Sequence, residues 1–546
     1  MKPLLVISFI MFSVHAILAQ DTYHVKFRDK DHNLYSISTP SSYLSSRSIE
    51  RRRKQNIPLT QDDLPLTDMY VDSVLKYADR LVYKLKWDNA ILVRSSDTLF
   101  AAKVKQFPFV ESLNKISGQC PSVVNKKLSS GSVTGLPAVA LDTGFYGAAQ
   151  NQNAMIDINA LHQKGWWGDS VLIAVMDGGF INLPTNPFFA KIFSAGRILY
   201  TWNYVYDTSD VYGYDEHGAE TFSDIAADIP GQMVGTAPNA QFLLFVTEDV
   251  RSEKIIEEYN WVNAAEIADS IGADVFSTSL GYTTFDPVDS VYNTTYASLN
   301  GDSTPIAKAA NTAAHRGILV ITSAGNEGGD TWHYITTPGD ADSGVAVGAV
   351  NAQGTIGYFS SWGPNSSGVL KPNVCAQGVS SAVVMSNGVV GINSGTSFAC
   401  PIMAGAFTCL RGAFPAVPNM IMIDAVQRSS SYASNPNDHY GFGIPDFGLA
   451  YQYLKALYPD PDSAASALVY PNPFTTSFNI IISGLLNGPI QCDLYDLLGR
   501  PILSASFPVG TYADNLLSMT VPESLPHGIY ILRINGIYSI RVVKRP

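Results

Sequence analysis

Between residues 171 and 350, short and wholly apolar runs alternate with segments of helical period. VLIAVM (171–176), FLLFV (242–246), DVFSTSL (274–280), ILVITS (318–323) and GVAVGAV (344–350) read as strands. KIIEEYNWVNAAEIADSIG (254–272) and PIAKAANTAAHRG (305–317) read as helices. Strands without a polar side are covered on both faces, and strands alternating with helices pair in parallel. The pattern therefore predicts an α/β fold, a mostly parallel sheet with helices on both faces. Such a sheet places its sites beyond the carboxyl ends of its strands. From residue 467 the pattern changes to short alternating strands between turn signals, in SFNIIISG, CDLYDLLG, GIYILRING and YSIRVVK, which predicts a small all-β module. Residues 20–120 mix helix and strand patterns. GQCPSVVNKKLSSGSVTGLP (118–137) and PDPDSAAS (459–466) are rich in turn formers and read as linkers.

The chain's 546 residues suit several domains. Its net charge of −12, with no extended basic domain, argues against nucleic acid as a partner. The one basic cluster, Arg51-Arg52-Arg53-Lys54, reads as a solvated helix face. MKPLLVISFIMFSVHAILAQ starts with Lys2, runs apolar from Leu4 and ends in small residues near Ala19, the shape of a secretory signal. Ser8, Ser13 and His15 interrupt it as a membrane anchor, and no later segment reads as a transmembrane span. The cysteines, Cys120, Cys375, Cys400, Cys409 and Cys492, are odd in number and lack metal-type spacing. Most are expected to be small buried hydrophobes, and Cys400 and Cys409 lie too far apart along one predicted helix to bridge.

The stretch GINSGTSFACPIMAGAFTCL (391–410) reads as a buried helix with a small, polar entry and a proline at 401. A helix start offers free N–H groups and the positive end of the dipole, so Ser397 there is a candidate nucleophile. Read alone it is also an ordinary N-cap. A serine nucleophile needs a base, an orienting acid and an oxyanion site. Asp177 ends the run 171–176 and precedes two glycines, as turn carboxylates also do. His217 opens a helical stretch beside Gly218, and Asn326 lies in the glycine-lined turn ITSAGNEGG after another strand. Each is ambiguous singly; together all fall at strand ends or helix starts of one α/β layout. The order Asp177, His217, Ser397, with Phe398-Ala399 after the serine, excludes the Gly-x-Ser-x-Gly elbow of α/β-hydrolases.

Segment 156–450 resembles a subtilisin-family (subtilase) peptidase domain. The resemblance rests on VLIAVMDGGF, EHGAE, GTAPNA (235–240), STSLGY (277–282), SAGNEG (323–328), AVGAV, FSSWGP (359–364), KPNVCAQG and NSGTSFACPIMAG in the family's order. It implies that Asp177 orients, His217 acts as base, Ser397 as nucleophile and Asn326 as oxyanion donor. It also implies that the backbone of Ser279-Leu280-Gly281 pairs with an extended substrate. Substrate preference rests on pocket walls around 279–282 and 323–329, where Glu327 would favour a basic residue before the cut if its carboxylate faces the substrate. The chain departs from the family pattern at Gly178, at Ala219-Glu220 after the histidine and at Asn373 in Lys371-Pro372-Asn373. Glu220 is expected to raise the pKa of His217.

Residues 21–120, with SSRSIERRRKQNIPLTQDDLP and KWDNAILV, resemble the inhibitory propeptide of Bacteroidetes-type subtilases. VYPNPFTTSF (469–478), DLYDLLGRPI, LPHGIYILRI and the terminal RVVK resemble the C-terminal sorting domain read by the type IX secretion system. The expected organisation is a signal peptide (1–19), propeptide (20–120, small α+β), processing linker (121–137), peptidase domain (138–458) and β-sandwich sorting domain (467–546). The expected activity is secreted serine endopeptidase action on protein or peptide substrates, reaching the exterior or cell surface through the periplasm. The propeptide serves as inhibitor and the type IX machinery as partner. A pseudo-peptidase that binds extended peptides without cutting is the alternative, and an adhesin with a glycan-binding tail is disfavoured by the sorting motifs. Catalysis needs no cofactor. Subtilases often carry structural calcium, but no EF-hand-type loop marks a site here, so the metal assignment stays open.

Overall fold

The computed structural model describes residues 20–117, 144–458, 466–483, 489–507, 516–536 and 538–545. The signal segment, the linker with Cys120, and residues 459–465 lie outside the described residues. The first block runs β1 (Asp21–Phe27), α1 (Ser46–Lys54), α2 (Asp68–Leu75), β2 (Arg80–Leu85), β3 (Ala90–Ser95), α3 (Phe100–Val104) and β4 (Val110–Ser117). Its antiparallel sheet has the order β2-β3-β1-β4. With α2 and α3 as connections this is a ferredoxin-like βαββαβ unit, and α1 is an addition between β1 and α2. One sheet face packs on its own helices through Val25, Ile91, Val93, Val71 and Phe100. The other lends Leu85, Leu92 and Ile116 to the core of the next block.

That block contains β5 (Leu172–Asp177), β6 (Ile198–Asn203), α4 (His217–Ala226), β7 (Gln241–Val246), α5 (Ile256–Ile271), β8 (Val275–Thr278), α6 (Pro305–His315), β9 (Leu319–Ser323), β10 (Val345–Val350), β11 (Val374–Gln377), α7 (Thr396–Ala413) and α8 (Phe447–Leu457). The sheet order is β11-β10-β9-β8-β5-β7-β6, with parallel pairing throughout. The unbroken apolar run of β5 has a two-sided reason. Leu172, Ala174 and Met176 face α5 and α6, while Ile173 and Val175 face α4 and α7. From β5 the chain goes first to β6 at the edge and back to β7 on one side, then to β8 through β11 on the other. The topological switch point therefore lies at β5, and the crevice it opens is at the carboxyl end carrying Asp177.

The tail forms β12 (Ser466–Tyr470), β13 (Ser477–Ser483), β14 (Ile490–Tyr495), β15 (Pro501–Phe507), β16 (Leu516–Thr520), β17 (Gly528–Ile534) and β18 (Tyr538–Lys544). Sheets β12-β13-β16 and β15-β14-β17-β18 face each other over Phe478, Ile480, Ile482, Leu494, Leu532 and Val542. Three successive isoleucines break the expected alternation in β13 for a physical reason. Ile480 and Ile482 fill the sandwich, and Ile481 turns into the peptidase core, where Tyr470 also stacks edge-on against Tyr453 of α8 at 5.2 Å. Among the described residues no helix is long and apolar enough to cross a membrane.

One expectation needs correction. The basic cluster does form a helix, α1, but only Arg53 and Lys54 are solvated; Arg51 and Arg52 are buried at 4% and 1% exposure. They meet Asp269 of α5, a partner far along the chain that local charge pattern does not reveal. Cys375, Cys400, Cys409 and Cys492 are buried free thiols.

Candidate active site

The carboxylate of Asp177 is fully buried at the end of β5. Its Oδ1 accepts from the Gly178 N–H and from His217 Nδ1, both at 2.7 Å, and its Oδ2 accepts from Thr221 Oγ1 at 3.0 Å. An ionised carboxylate only accepts, so Nδ1 carries the proton and Nε2 is left as the acceptor. His217 is the first residue of α4, and its backbone N–H is capped by Asp215 Oδ1 at 2.8 Å. Gly218 lets the helix start approach the strand end. A Cβ there would lie 2.2 Å from the Gly179 carbonyl oxygen and 2.9 Å from Asp177 Cβ. Burial works against the imidazolium, but Asp177, by charge and hydrogen bond, together with Glu248 and Asp215, outweighs it and raises His217 to about 9. The imidazole is 36% exposed, so water screens part of that attraction.

Ser397 is the second residue of α7 and 8% exposed. The proline at 401 explains itself locally. It has no N–H for the Ser397 carbonyl four residues back, and the Ser279 hydroxyl donates to that carbonyl instead, at 2.8 Å. Ser397 Oγ in turn donates to the Ser279 carbonyl at 3.3 Å. Among the described hydrogen bonds it does not join His217. A χ1 rotation moves Oγ between staggered positions, and such contacts are often loose without substrate. The Phe398 ring lies 6.0 Å from the imidazole.

Asn326 follows β9 in an exposed turn. Its Oδ1 accepts from Thr396 N at 2.9 Å and Thr396 Oγ1 at 3.0 Å, which fixes the amide with Nδ2 on the opposite side, toward Gly395. Ser279 and Leu280 are buried at the end of β8 and Gly281 is exposed. Ser323 Oγ donates to the Leu280 carbonyl at 3.3 Å, and Tyr282 exchanges backbone bonds with Thr337 at 2.9 and 3.2 Å, holding the segment extended. Glu327 is folded back onto its own loop. Its Oε2 accepts from Ser361 Oγ at 2.9 Å, and burial pushes its carboxyl up. Selecting a basic side chain would require it to turn out.

The departures from the family pattern leave Asp177, His217 and Ser397 in place. A side chain at Gly178 would begin 2.9 Å from Val250 Cγ1. Glu220 is buried and accepts from Asn393 Nδ2 at 2.8 Å; burial raises its carboxyl. Asn373 accepts from the buried Lys371 Nζ at 3.1 Å, within the core. Thr221 and Thr396 are site residues that sequence reasoning passed over. Thr221 was within reach of it, since i and i+4 share a helix face with His217. Among the described residues no group of three or more His, Cys, Asp or Glu converges as a metal site.

The Subtilase family profile matches residues 168–443, the Peptidase S8 propeptide domain of Bacteroidota matches 22–130, and the Secretion system C-terminal sorting domain matches 468–545. The chain is similar to Subtilisin E of Bacillus subtilis (strain 168), with 29% identity over 310 residues, 56% of this chain and 71% of that protein. It is similar to Subtilisin of Bacillus pumilus, with 29% identity over 311 residues, 56% of this chain and 98% of that protein. Serine protease AprX of Bacillus subtilis (strain 168) is 27% identical over 270 residues, 44% of this chain and 56% of that protein.

Proposed function

The chain belongs to the subtilase family of serine peptidases, and from that premise we propose that it is a secreted endopeptidase working through Asp177, His217, Ser397 and Asn326. The observation that carries this reading is the 2.7 Å bond between Asp177 and His217, whose ring lies 6.0 Å from that of Phe398, the residue after a serine presented at a helix start. His217 Nε2 takes the proton as Ser397 Oγ attacks a peptide carbonyl. The Ser397 N–H, free of intrahelical bonding at the first turn, and Asn326 Nδ2 hold the oxyanion. His217 then gives its proton to the leaving amine, and water hydrolyses the acyl-enzyme by the reverse route. The edge at Ser279-Leu280-Gly281 takes the extended substrate by strand addition. Turnover of a fluorogenic peptide by the processed wild-type enzyme, with none by a Ser397 variant, is the test. Binding without turnover would exclude the endopeptidase reading.

His217 must be neutral to act, and its pKa is raised, so activity is lost as pH falls through that value. The ascending limb of kcat/KM should lie above the ordinary 6.5 and up to about 9. Glu248→Gln should move the limb to lower pH, measured on the same peptide. A limb at or below 6.5 in the wild type would contradict the assignment.

The propeptide and sorting domains place the enzyme outside the cell or on its surface. The exported chain should lose about 100 residues by a cut between roughly 113 and 140, because the stretch 118–137 is polar and turn-rich. N-terminal sequencing reads the cut; a Ser397→Ala chain processed equally fast in pure form would exclude self-cleavage. A chain ending at Tyr458 should still cleave peptides. It should melt at lower temperature, because Ile481 and Tyr470 no longer cover α8. In a host with type IX machinery it should stay in the periplasm, and its normal export would refute the sorting role.

A further inference from the structure

Helix α1 lies along the amino-terminal edge of the parallel sheet. Arg47 donates to the Ser170 carbonyl before β5, to Gln241 Oε1 at the start of β7 (3.2 Å) and to Asp274 before β8 (2.7 Å). Arg51 reaches the Ala273 carbonyl, Asp269 Oδ1 and the Arg316 carbonyl (3.1 Å), and Gln55 just after the helix reaches the Gly317 carbonyl at 2.8 Å. These acceptors mark the carboxyl ends of α5 and α6, where the last carbonyls lack helical partners and the dipole is negative. The first turn adds to this. Ser45 donates from N to Ser270 O (2.9 Å) and from Oγ to Ile271 O (2.7 Å), and Arg47 Nε donates to Gly272 O (3.1 Å). Gly272 has φ +105°, and a side chain there would start 2.7 Å from Arg47 Cβ.

At the centre is Asp269, fully buried. Besides Arg51 it accepts from Arg52 at 3.0 Å and Lys86 at 3.3 Å, both from the pro-segment. Arg52 also holds Asp63, which accepts from Arg316 at 3.0 Å, so charges from both sides of the boundary interlock. Without the pro-segment, Asp269 would face no arginine from α1.

None of this touches the active site. Ser279 and Ser397 meet at the opposite edge of the sheet, one strand length from Asp274, about 17 Å at ~3.3 Å per residue. The linker follows β4, with α2, β2, β3 and α3 also between it and α1, so cutting it leaves these contacts whole.

We propose that α1 is a second anchor, remote from the active site, that keeps the cleaved pro-segment on the peptidase by engaging Asp269 and the carboxyl ends of α5 and α6. This rests on reading residues 20–120 as an inhibitory propeptide. Linker cleavage then removes only the covalent tie, and a latent complex persists until the anchor itself is broken. Removing the arginines leaves a buried carboxylate short of its cations, which is the costly way to break a buried pair.

The test uses full-length Ser397→Ala chains carrying a recognition site for an added sequence-specific protease within 121–137. After nicking, the wild-type pro-segment should co-elute with the peptidase on size exclusion. Arg51→Ala with Arg52→Ala should release it roughly 100- to 1,000-fold faster, and Asp269→Asn should do so from the peptidase side. Arg53→Ala, exposed and paired with Glu50, should change nothing. Melting curves before nicking show which variants fold, and single Arg51→Ala serves if the double variant does not. Release as slow in the folded arginine and Asp269 variants as in the wild type would overturn the anchor. Because these chains are inactive and cut in trans, that outcome is independent of self-processing. The inhibitor reading fails separately, if the active chain with its pro-segment still bound hydrolyses peptide at the full mature rate.

Discussion

Replacing Ser397 by alanine should abolish peptide hydrolysis and leave the fold intact. The substitution removes one oxygen whose recorded bond is a 3.3 Å donation to the Ser279 carbonyl, near the long limit for an O–H donor. The anchors of this helix start do not involve that oxygen. Thr396 holds Asn326, and Ser279 Oγ holds the Ser397 carbonyl through the gap left by Pro401. The stability change should therefore stay within about 1 kcal/mol. Loss of the nucleophile should reduce kcat on the order of a millionfold, a magnitude known from subtilisin itself rather than derived from this chain. Single-turnover assays with a fluorogenic peptide, alongside thermal melting, measure both effects. A variant retaining a tenth of the activity would place the nucleophile elsewhere.

Asn326→Ala should lower kcat roughly 100- to 1,000-fold with little change in KM, again the scale known for subtilisin. The reason is in the amide's orientation. Backbone and hydroxyl of Thr396 both claim Oδ1, so only Nδ2 is free to meet the charge that develops as the carbonyl becomes an anion. Alanine also orphans the Thr396 N–H at the first turn of α7, so some stability is lost as well. Asn326→Asp separates the two roles, because it retains an acceptor for Thr396 while removing the donor and adding a negative charge. Its kcat should fall at least as far as that of the alanine variant while its melting temperature stays nearer the wild type. An effect confined to KM in both variants would make Asn326 a ground-state binding residue.

The sequence by itself determined the architecture and the candidate residues. The apolar runs of β5, β7 and β9 and the helical periods of α5 and α6 are local patterns, and a strand buried on both faces shows as an unbroken run such as LIAVM. Asp177, His217, Asn326 and Ser397 stand out as candidates because each sits in a short motif at a strand end or helix start. The tertiary structure decided what depends on partners distant in the chain. The arginines of α1 read as solvated because burying such a charge is costly alone; the carboxylate that offsets the cost is 217 residues from Arg52. Ile481 reads as one member of an alternating strand, but α8 lies on its other side. The sequence leaves the orientation of Glu327 open, and Ser361, 34 residues on, draws its carboxylate inward. Periodicity and motif report on a residue's immediate neighbours. Burial of a charge, orientation of an amide and the second face of a strand are set by contacts that exist only once the chain has folded.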